Sequence, residues 1–197
     1  MILGLHGHDT SYAGRRLSAQ DYFALGETEE RYELIDGVVC MSPGPFPVHG
    51  SVIAEITAQI VTYLKIHPIG RVFVEVDVSL GKSRRGGDLV YRPDLVVLRA
   101  DQVAANFKRI VEPPAIVVEV VSESSRRMDR ETKKGDYERF GVAEYWVIDS
   151  ESGTMAFHRL QQTRYVELPT DANTYRCEIL SGFALDLAAV RAAFRPG

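Results

Sequence analysis

Cysteine is nearly absent: the 197 residues contain two, Cys40 and Cys177, far apart and in no metal-ligand or redox spacing. That argues against a disulfide framework or a thiolate metal site, and a reducing cytoplasm is the expected setting. No apolar run approaches the roughly 20 residues needed to span a bilayer, so no membrane partner is expected. The first 14 residues lack the basic start and apolar stretch of a secretory signal. They read as a mobile arm, and the expected division is an arm over 1–16 and a single domain over 17–197. Positive charge is not in excess either. A net charge of −4 and a pI near 5.8 argue against a protein that coats nucleic acid by charge alone. Internal repeats, low-complexity tracts and linkers are missing too.

What is present is an ordinary globular composition, 45% hydrophobic and 25% charged, in a chain long enough to bury a real core. Cys40 lies in an apolar run, where a small buried hydrophobe is its default role. The basic residues are clustered. Residues 126–134 hold Arg126, Arg127, Arg130, Lys133 and Lys134 against Asp129 and Glu131, and Arg84 and Arg85 follow Lys82. Taken alone, each run reads as a solvated face. Taken with a phosphate-bearing partner, Arg84, Arg85, Arg126, Arg127 and Arg130 are candidate nucleic-acid contacts.

Ser18 followed by Asp21 predicts a capped helix from Ala19 to Leu25. Asp36-Gly37 between the apolar runs 32–35 and 38–41 predicts a two-residue hairpin, because both central residues need positive φ. The prolines of 42–47 exclude helix and inner strand there. Val52, Ile53, Ile56, Ile60, Val61 and Leu64 recur at helical spacing, giving a long amphipathic helix from His49 to about Ile66. Alternation over 72–79 predicts a strand, and a glycine-rich turn then leads to a second strand opened by Asp94. The unbroken apolarity of 115–121 predicts a third, covered on both faces. Serines 122, 124 and 125 offer caps for a charged helix to about Phe140. A strand follows over 144–148, then short strands at 155–160, 165–168 and 175–179 and a small helix at 187–194. The order from His49 to Asp149 is helix, three strands, helix, strand. It implies an α/β (α+β) domain, a mixed central sheet flanked by helices, with an N-terminal hairpin and short C-terminal strands.

Two acids interrupt apolar strands, Asp94 and Glu119. A buried carboxylate without a partner costs several kcal/mol, so it calls for a cation, a set of donors or a proton. Their separation of 25 residues leaves room for a return connection between adjacent strands, so both can reach one point. Two hard oxygen ligands without a nearby Cys or His pair favour Mg²⁺ or Mn²⁺ over zinc. A salt bridge or a solvent-facing glutamate is the alternative for Glu119 alone. Asp129, Lys133 and Tyr137 are spaced by four and share a helical face. If that face packs beside Glu119, Lys133 brings an ammonium to the pair. From spacing alone, a surface Asp129–Lys133 ion pair is the plainer reading. Trp146 and Tyr145 read as core rather than base-stacking platforms.

Several of these features together resemble one family. They are Tyr32-Glu-Leu-Ile-Asp-Gly37, Met41-Ser-Pro43 with His49, Pro93-Asp94-Leu95, Glu119-Val120 with Ser122, the 129/133/137 ladder and Glu144-Tyr-Trp-Val-Ile-Asp149. The set is similar to the Uma-two family (Uma2, formerly a domain of unknown function, DUF820). These are bacterial proteins assigned as restriction endonucleases within the PD-(D/E)xK nuclease superfamily. The resemblance runs from about Leu17 to Phe183. It implies a restriction-endonuclease-like core, with Asp94 and Glu119 as the catalytic, metal-binding acids. The superfamily's usual lysine slot holds Val121 here, and the resemblance puts the catalytic lysine on the following helix, at Lys133. Glu33 and His49 match family positions and, with Asp129 and Tyr137, are supporting candidates. Glu33 is a further ligand or an arginine's partner, and His49 a group facing the cleft; for both, a structural role is the commoner case.

The expectation is therefore a metal-dependent endonuclease that hydrolyses phosphodiester bonds of nucleic acid, with DNA as substrate and Mg²⁺ or Mn²⁺ as cofactor. A homodimer would serve to cut two strands. The alternative is a non-catalytic nuclease-fold binding or scaffold domain, favoured by Val121 and the net negative charge.

Overall fold

The computed structural model describes residues 11–42, 44, 46–103, 109–121 and 125–195. The cap serines Ser122 and Ser124, and residues 1–10 of the expected arm, lie outside the described residues.

The chain begins with helix α1 (Ala19–Ala24), whose start is capped by the Ser18 side chain accepting from the Asp21 amide. Strands β1 (Tyr32–Ile35) and β2 (Val38–Met41) form the expected hairpin. Asp36 (φ 53°) and Gly37 (φ 76°) supply the two positive dihedrals its turn demands. Residues 14–16, expected to belong to a mobile arm, instead bond along β2, with amide–carbonyl pairs Gly14–Val39 and Val39–Arg15. Helix α2 (Pro47–Ile66) starts two residues before the sequence pattern, with proline in its first turn, where a missing N–H costs nothing.

Strands β3 (Gly70–Val74), β4 (Val78–Lys82), β5 (Asp88–Tyr91), β6 (Leu95–Arg99) and β7 (Ile116–Val121) follow. A π-helical turn (Met128–Lys133) runs into α3 (Lys134–Phe140), then β8 (Glu144–Asp149), β9 (Thr154–Gln161), β10 (Arg164–Glu167), β11 (Thr174–Arg176), β12 (Ala184–Asp186) and α4 (Leu187–Ala192). The central sheet has the order β10-β9-β8-β7-β6-β3, with only β7 and β8 parallel. A second sheet, β2-β1-β5-β4, lies over it.

Within the central sheet the order is helix α2, strands β3, β6 and β7, helix α3, strand β8, as the sequence pattern implies. The correction concerns residues 75–91. The expected single strand over 72–79 is two strands in different sheets, and the glycine-rich stretch carries β5. The chain breaks at Glu75, which takes φ 54° while its amide donates to the Asp94 carbonyl at 3.2 Å. Asp77 is then held by the Arg92 guanidinium at 2.7 and 3.1 Å. Alternation continues across the break, so periodicity alone could not locate it.

One apolar cluster packs α2 and α4 against the central sheet through Leu95, Val97, Ile116, Val118 and Val120. The opposite face packs Val96, Leu98, Val117 and Val121 against β4, β5 and α3. Strand parity therefore puts Asp94 and Glu119 on this second face, towards α3. Trp146 and Tyr145 are fully buried core residues, as expected, whereas Cys40 is only half-buried. Glu144, another buried acid, is satisfied at the other end of β8 by Trp146 Nε1 (3.0 Å), Tyr175 Oη (2.6 Å) and Arg159 Nε (3.2 Å).

Candidate active site

Strands β6 and β7 pair antiparallel with Leu95 opposite Val118, a register whose next step sets Asp94 against Glu119. Asp94 Oδ2 accepts from the Val120 amide at 2.7 Å, and Asp94 Oδ1 lies 3.0 Å from His49 Nε2 in the first turn of α2. Glu119 Oε1 accepts from Lys133 Nζ at 3.2 Å and from the Tyr137 hydroxyl at 3.0 Å. Glu33 Oε1, on the hairpin, accepts from Lys133 Nζ and from the Arg92 amide, both at 2.9 Å. Asp129 Oδ1 stands 3.5 Å from the same ammonium.

Lys133 and all four acids are at most 6% exposed. The Asp129–Lys133 pair is thus a buried group, not the surface ion pair that spacing favoured. The π-helical turn from Met128 to Lys133 carries both residues, a distortion frequent at functional sites. Tyr145 Oη donates to the Asp129 carbonyl at 2.9 Å from below.

Three carboxylates, Glu33, Glu119 and Asp129, lie within 3.5 Å of one ammonium, and the imbalance shows in Glu119 and Asp129. Burial pushes Glu119 well above the usual carboxylate range; Lys133 pulls it back, and Asp129, Asp94 and Glu33 push it up again. Burial also raises Asp129, against the pull of Lys133. For Lys133, burial works to lower the pKa, but Glu119, Glu33 and Asp129 outweigh it and hold the ammonium firmly charged. The Tyr137 phenol is raised by burial and by Glu119, so it donates as a neutral hydroxyl.

The group opens into a cleft of about 1040 Å³. Among the described residues, no three His, Cys, Asp or Glu side chains converge as a complete metal cage. Asp94 and Glu119 nonetheless offer hard oxygens on neighbouring strands in a buried region with excess negative charge. That suits a divalent ion which keeps several waters among its ligands.

The proposed phosphate contacts are placed differently. Arg126 Nε and Arg130 Nη2 grip the buried carboxylate of Asp149 at 2.8 and 3.0 Å, and Arg126 also reaches Glu151 at 3.0 Å. Arg127 stands on the surface beside Glu131, and Arg84 and Arg85 are exposed on the turn before β5. None of these five lines the cleft; the guanidinium groups that do are Arg31 and Arg92. Sequence reasoning missed both, although a signal existed. Arg31 is two residues from Glu33 in an alternating strand, and Arg92 two from Asp94.

Residues 19–188 match the model of the Uma2 family, described as "Putative restriction endonuclease". No curated protein matches the chain. Among solved structures it is similar to one described as a "putative nuclease belonging to DUF820" from Anabaena variabilis ATCC 29413. The alignment covers 91% of this chain and 99% of that one, with a TM-score of 0.76 and 20% identity. At that identity the likeness bears on the fold alone, and the shared fold is restriction-endonuclease-like.

Proposed function

The chain belongs to the Uma2 family, and from that premise we propose that it is a divalent-metal-dependent endonuclease acting on DNA. The observation that carries the reading is the set of buried acids at this site, Glu33, Glu119 and Asp129 around Lys133 with Asp94 beside them, open to a cleft. An enzyme that needs no cation there has no reason to retain such an excess of buried negative charge.

In this reading Asp94 and Glu119 hold Mg²⁺ or Mn²⁺. A bound divalent ion supplies Lewis-acid polarisation of the phosphate and acidifies a water. Lys133 stays charged and fixes the Glu119 carboxylate from the buried side, while its field offsets negative charge growing on the phosphorus oxygens. Tyr137 holds the same carboxylate oxygen as a donor. His49 orients Asp94, one of the two acids that would hold the ion, through Oδ1. Glu33 and Asp129 keep the ammonium in place. Arg84, Arg85 and Arg127, being exposed, are free to meet the backbone of a longer substrate. A homodimer, needed to cut both strands of a duplex, belongs to the same reading and is checked by light scattering.

Supercoiled plasmid with Mn²⁺ tests this. Wild type is expected to nick and linearise the plasmid, and Asp94→Ala and Glu119→Ala to lose about 100-fold or more. Equal cleavage by all three proteins overturns the assignment. A scaffold role is favoured by Val121, buried in the superfamily's lysine slot. Calorimetry separates the two, because a scaffold need not bind either ion.

A further inference from the structure

We infer that Arg31 is the phosphate-gripping residue of this cleft, the group that binds a non-bridging oxygen of the scissile phosphodiester. The inference rests on the nuclease reading above and adds to it a substrate-contacting residue outside the acid–lysine set.

Three cationic side chains besides His49 line the cleft among the described residues: Arg31, Arg92 and Lys133. Two of them are already committed. Arg92 is clamped in a two-point pair with Asp77 at 2.7 and 3.1 Å. Lys133 is shared among Glu33, Glu119 and Asp129 within 3.5 Å. Arg31 differs on each of its nitrogens. Its Nη1 meets Glu75 at 3.0 Å, a carboxylate 40% exposed and therefore a weak hold. Its Nη2 stands 4.0 Å from Asp94 Oδ1, near enough to share the Asp94 field but beyond hydrogen-bond distance. Its Nε is buried and has no hydrogen-bond partner.

A buried, unsatisfied guanidinium N–H costs stability and is rarely kept without use. Here it belongs to a fork whose geometry suits two oxygens of one phosphate. The backbone explains its position. Ile35 packs towards the second core face, so Glu33 in β1 points the same way, and Arg31, one residue ahead of the strand, continues that alternation. The strained turn at Glu75 (φ 54°) presents the one carboxylate that restrains the fork. A phosphate entering over Asp94 would meet Arg31 on its open side and Lys133 behind the acids. Hydrolysis consumes one water as co-reactant: its oxygen bonds to phosphorus and its proton passes by way of solvent to the leaving sugar oxygen, which departs with the electron pair of the broken P–O bond, while Arg31 holds the spectator oxygens throughout.

The test compares wild type, Arg31→Ala, Arg31→Lys and Asp94→Asn. Each is checked for folding by thermal melting, for plasmid cleavage with Mn²⁺, and for oligonucleotide binding by anisotropy across salt in Ca²⁺. Arg31→Ala is expected to lose about 100-fold in cleavage while its Mn²⁺ affinity stays near wild type. Its log–log salt slope should fall by about one. Arg31→Lys should keep the slope but recover cleavage only in part. Added guanidinium ion should restore Arg31→Ala and leave Asp94→Asn inactive; a merely structural arginine would not give that pattern. Wild-type cleavage and an unchanged salt slope in Arg31→Ala overturn the inference. If wild type does not cleave, the nuclease reading fails on its own. The salt slope then still decides Arg31: a drop of about one supports it, and no change, or no binding by wild type at all, rejects it.

Discussion

Lys133 Nζ lies 2.9 Å from Glu33 Oε1, a carboxylate 100 residues earlier in the chain and in the other sheet. This contact joins the hairpin β1–β2 to the helix that follows β7. The Arg92 amide, just after β5 in the same sheet as the hairpin, donates to the same oxygen at 2.9 Å. The site is therefore assembled by the packing of the two sheets, and its integrity is tied to the stability of the fold.

Lys133→Met should be strongly destabilising. It removes the one ammonium from a buried group of four acids, and breaking a buried pair typically costs about 3–5 kcal/mol. Urea denaturation should show a lowered midpoint with an unchanged slope. Glu33→Gln should cost less, because the amide can still accept from Lys133 and from the Arg92 amide. A Lys133→Met protein as stable as wild type would mean that the ammonium is dispensable to the fold.

Gly87→Ala should also destabilise the protein, for a steric reason. A Cβ at Gly87 would lie 2.2 Å from the Asp36 carbonyl carbon and 2.3 Å from its oxygen. Both are backbone atoms of the hairpin turn, which cannot withdraw without breaking the Gly37 amide's 2.8 Å bond to the Asp88 carbonyl. A loss on the order of 2–3 kcal/mol is expected, typical of overpacking against backbone. Calorimetric melting checks it; Gly87 has no positive φ, so the loss is steric, and Gly135→Ala, whose Cβ would meet nothing within 4 Å at an ordinary φ, should lose no stability.

The acids at 94 and 119 were legible because each breaks an apolar strand, and strand pairing then fixes what lies opposite. The central-sheet order was legible for the same reason, since helical and alternating periods differ sharply along this chain. The excursion through β4 and β5 was not. Residues 72–79 alternate without interruption, and what diverts them is the dihedral of Glu75 and the Asp77–Arg92 pair, both set by distant partners. The burial of Asp129 and Lys133 was equally hidden, because spacing of four describes an exposed ladder as well as a buried one. Arg126 and Arg130 looked free because their partner, Asp149, lies at the far end of the next strand.

His158 should make stability depend on pH in mildly acidic solution. Burial, helped by Lys134 and opposed by Glu167, pushes its imidazole down from 6.5 to about 4. The folded state thus binds fewer protons than the unfolded state between those values. Its contribution is fully present above about pH 6.5 and fades as pH falls towards 4, by roughly 1–3 kcal/mol. Buried acids with raised pKa values act with the opposite sign, so the informative quantity is the difference between wild type and His158→Gln. Urea midpoints from pH 7 to 4 should fall more steeply in wild type. Parallel curves would show that His158 titrates normally.

Glu119→Gln separates the cost of the site from its use. In metal-free solution the substitution replaces one of three buried carboxylates that share a single ammonium. The amide oxygen can still accept from Lys133 and Tyr137. The variant should therefore be as stable as wild type or more so, by about 1 kcal/mol. Millimolar Mn²⁺ should reverse the order, because only wild type retains both carboxylates and gains stability in proportion to ion binding. Thermal melts of both proteins with and without Mn²⁺ give the four values required. If Mn²⁺ raises both melting temperatures equally, the ion binds somewhere other than between Asp94 and Glu119. If metal-free Glu119→Gln is several kcal/mol less stable than wild type, the carboxylate is serving the fold rather than burdening it.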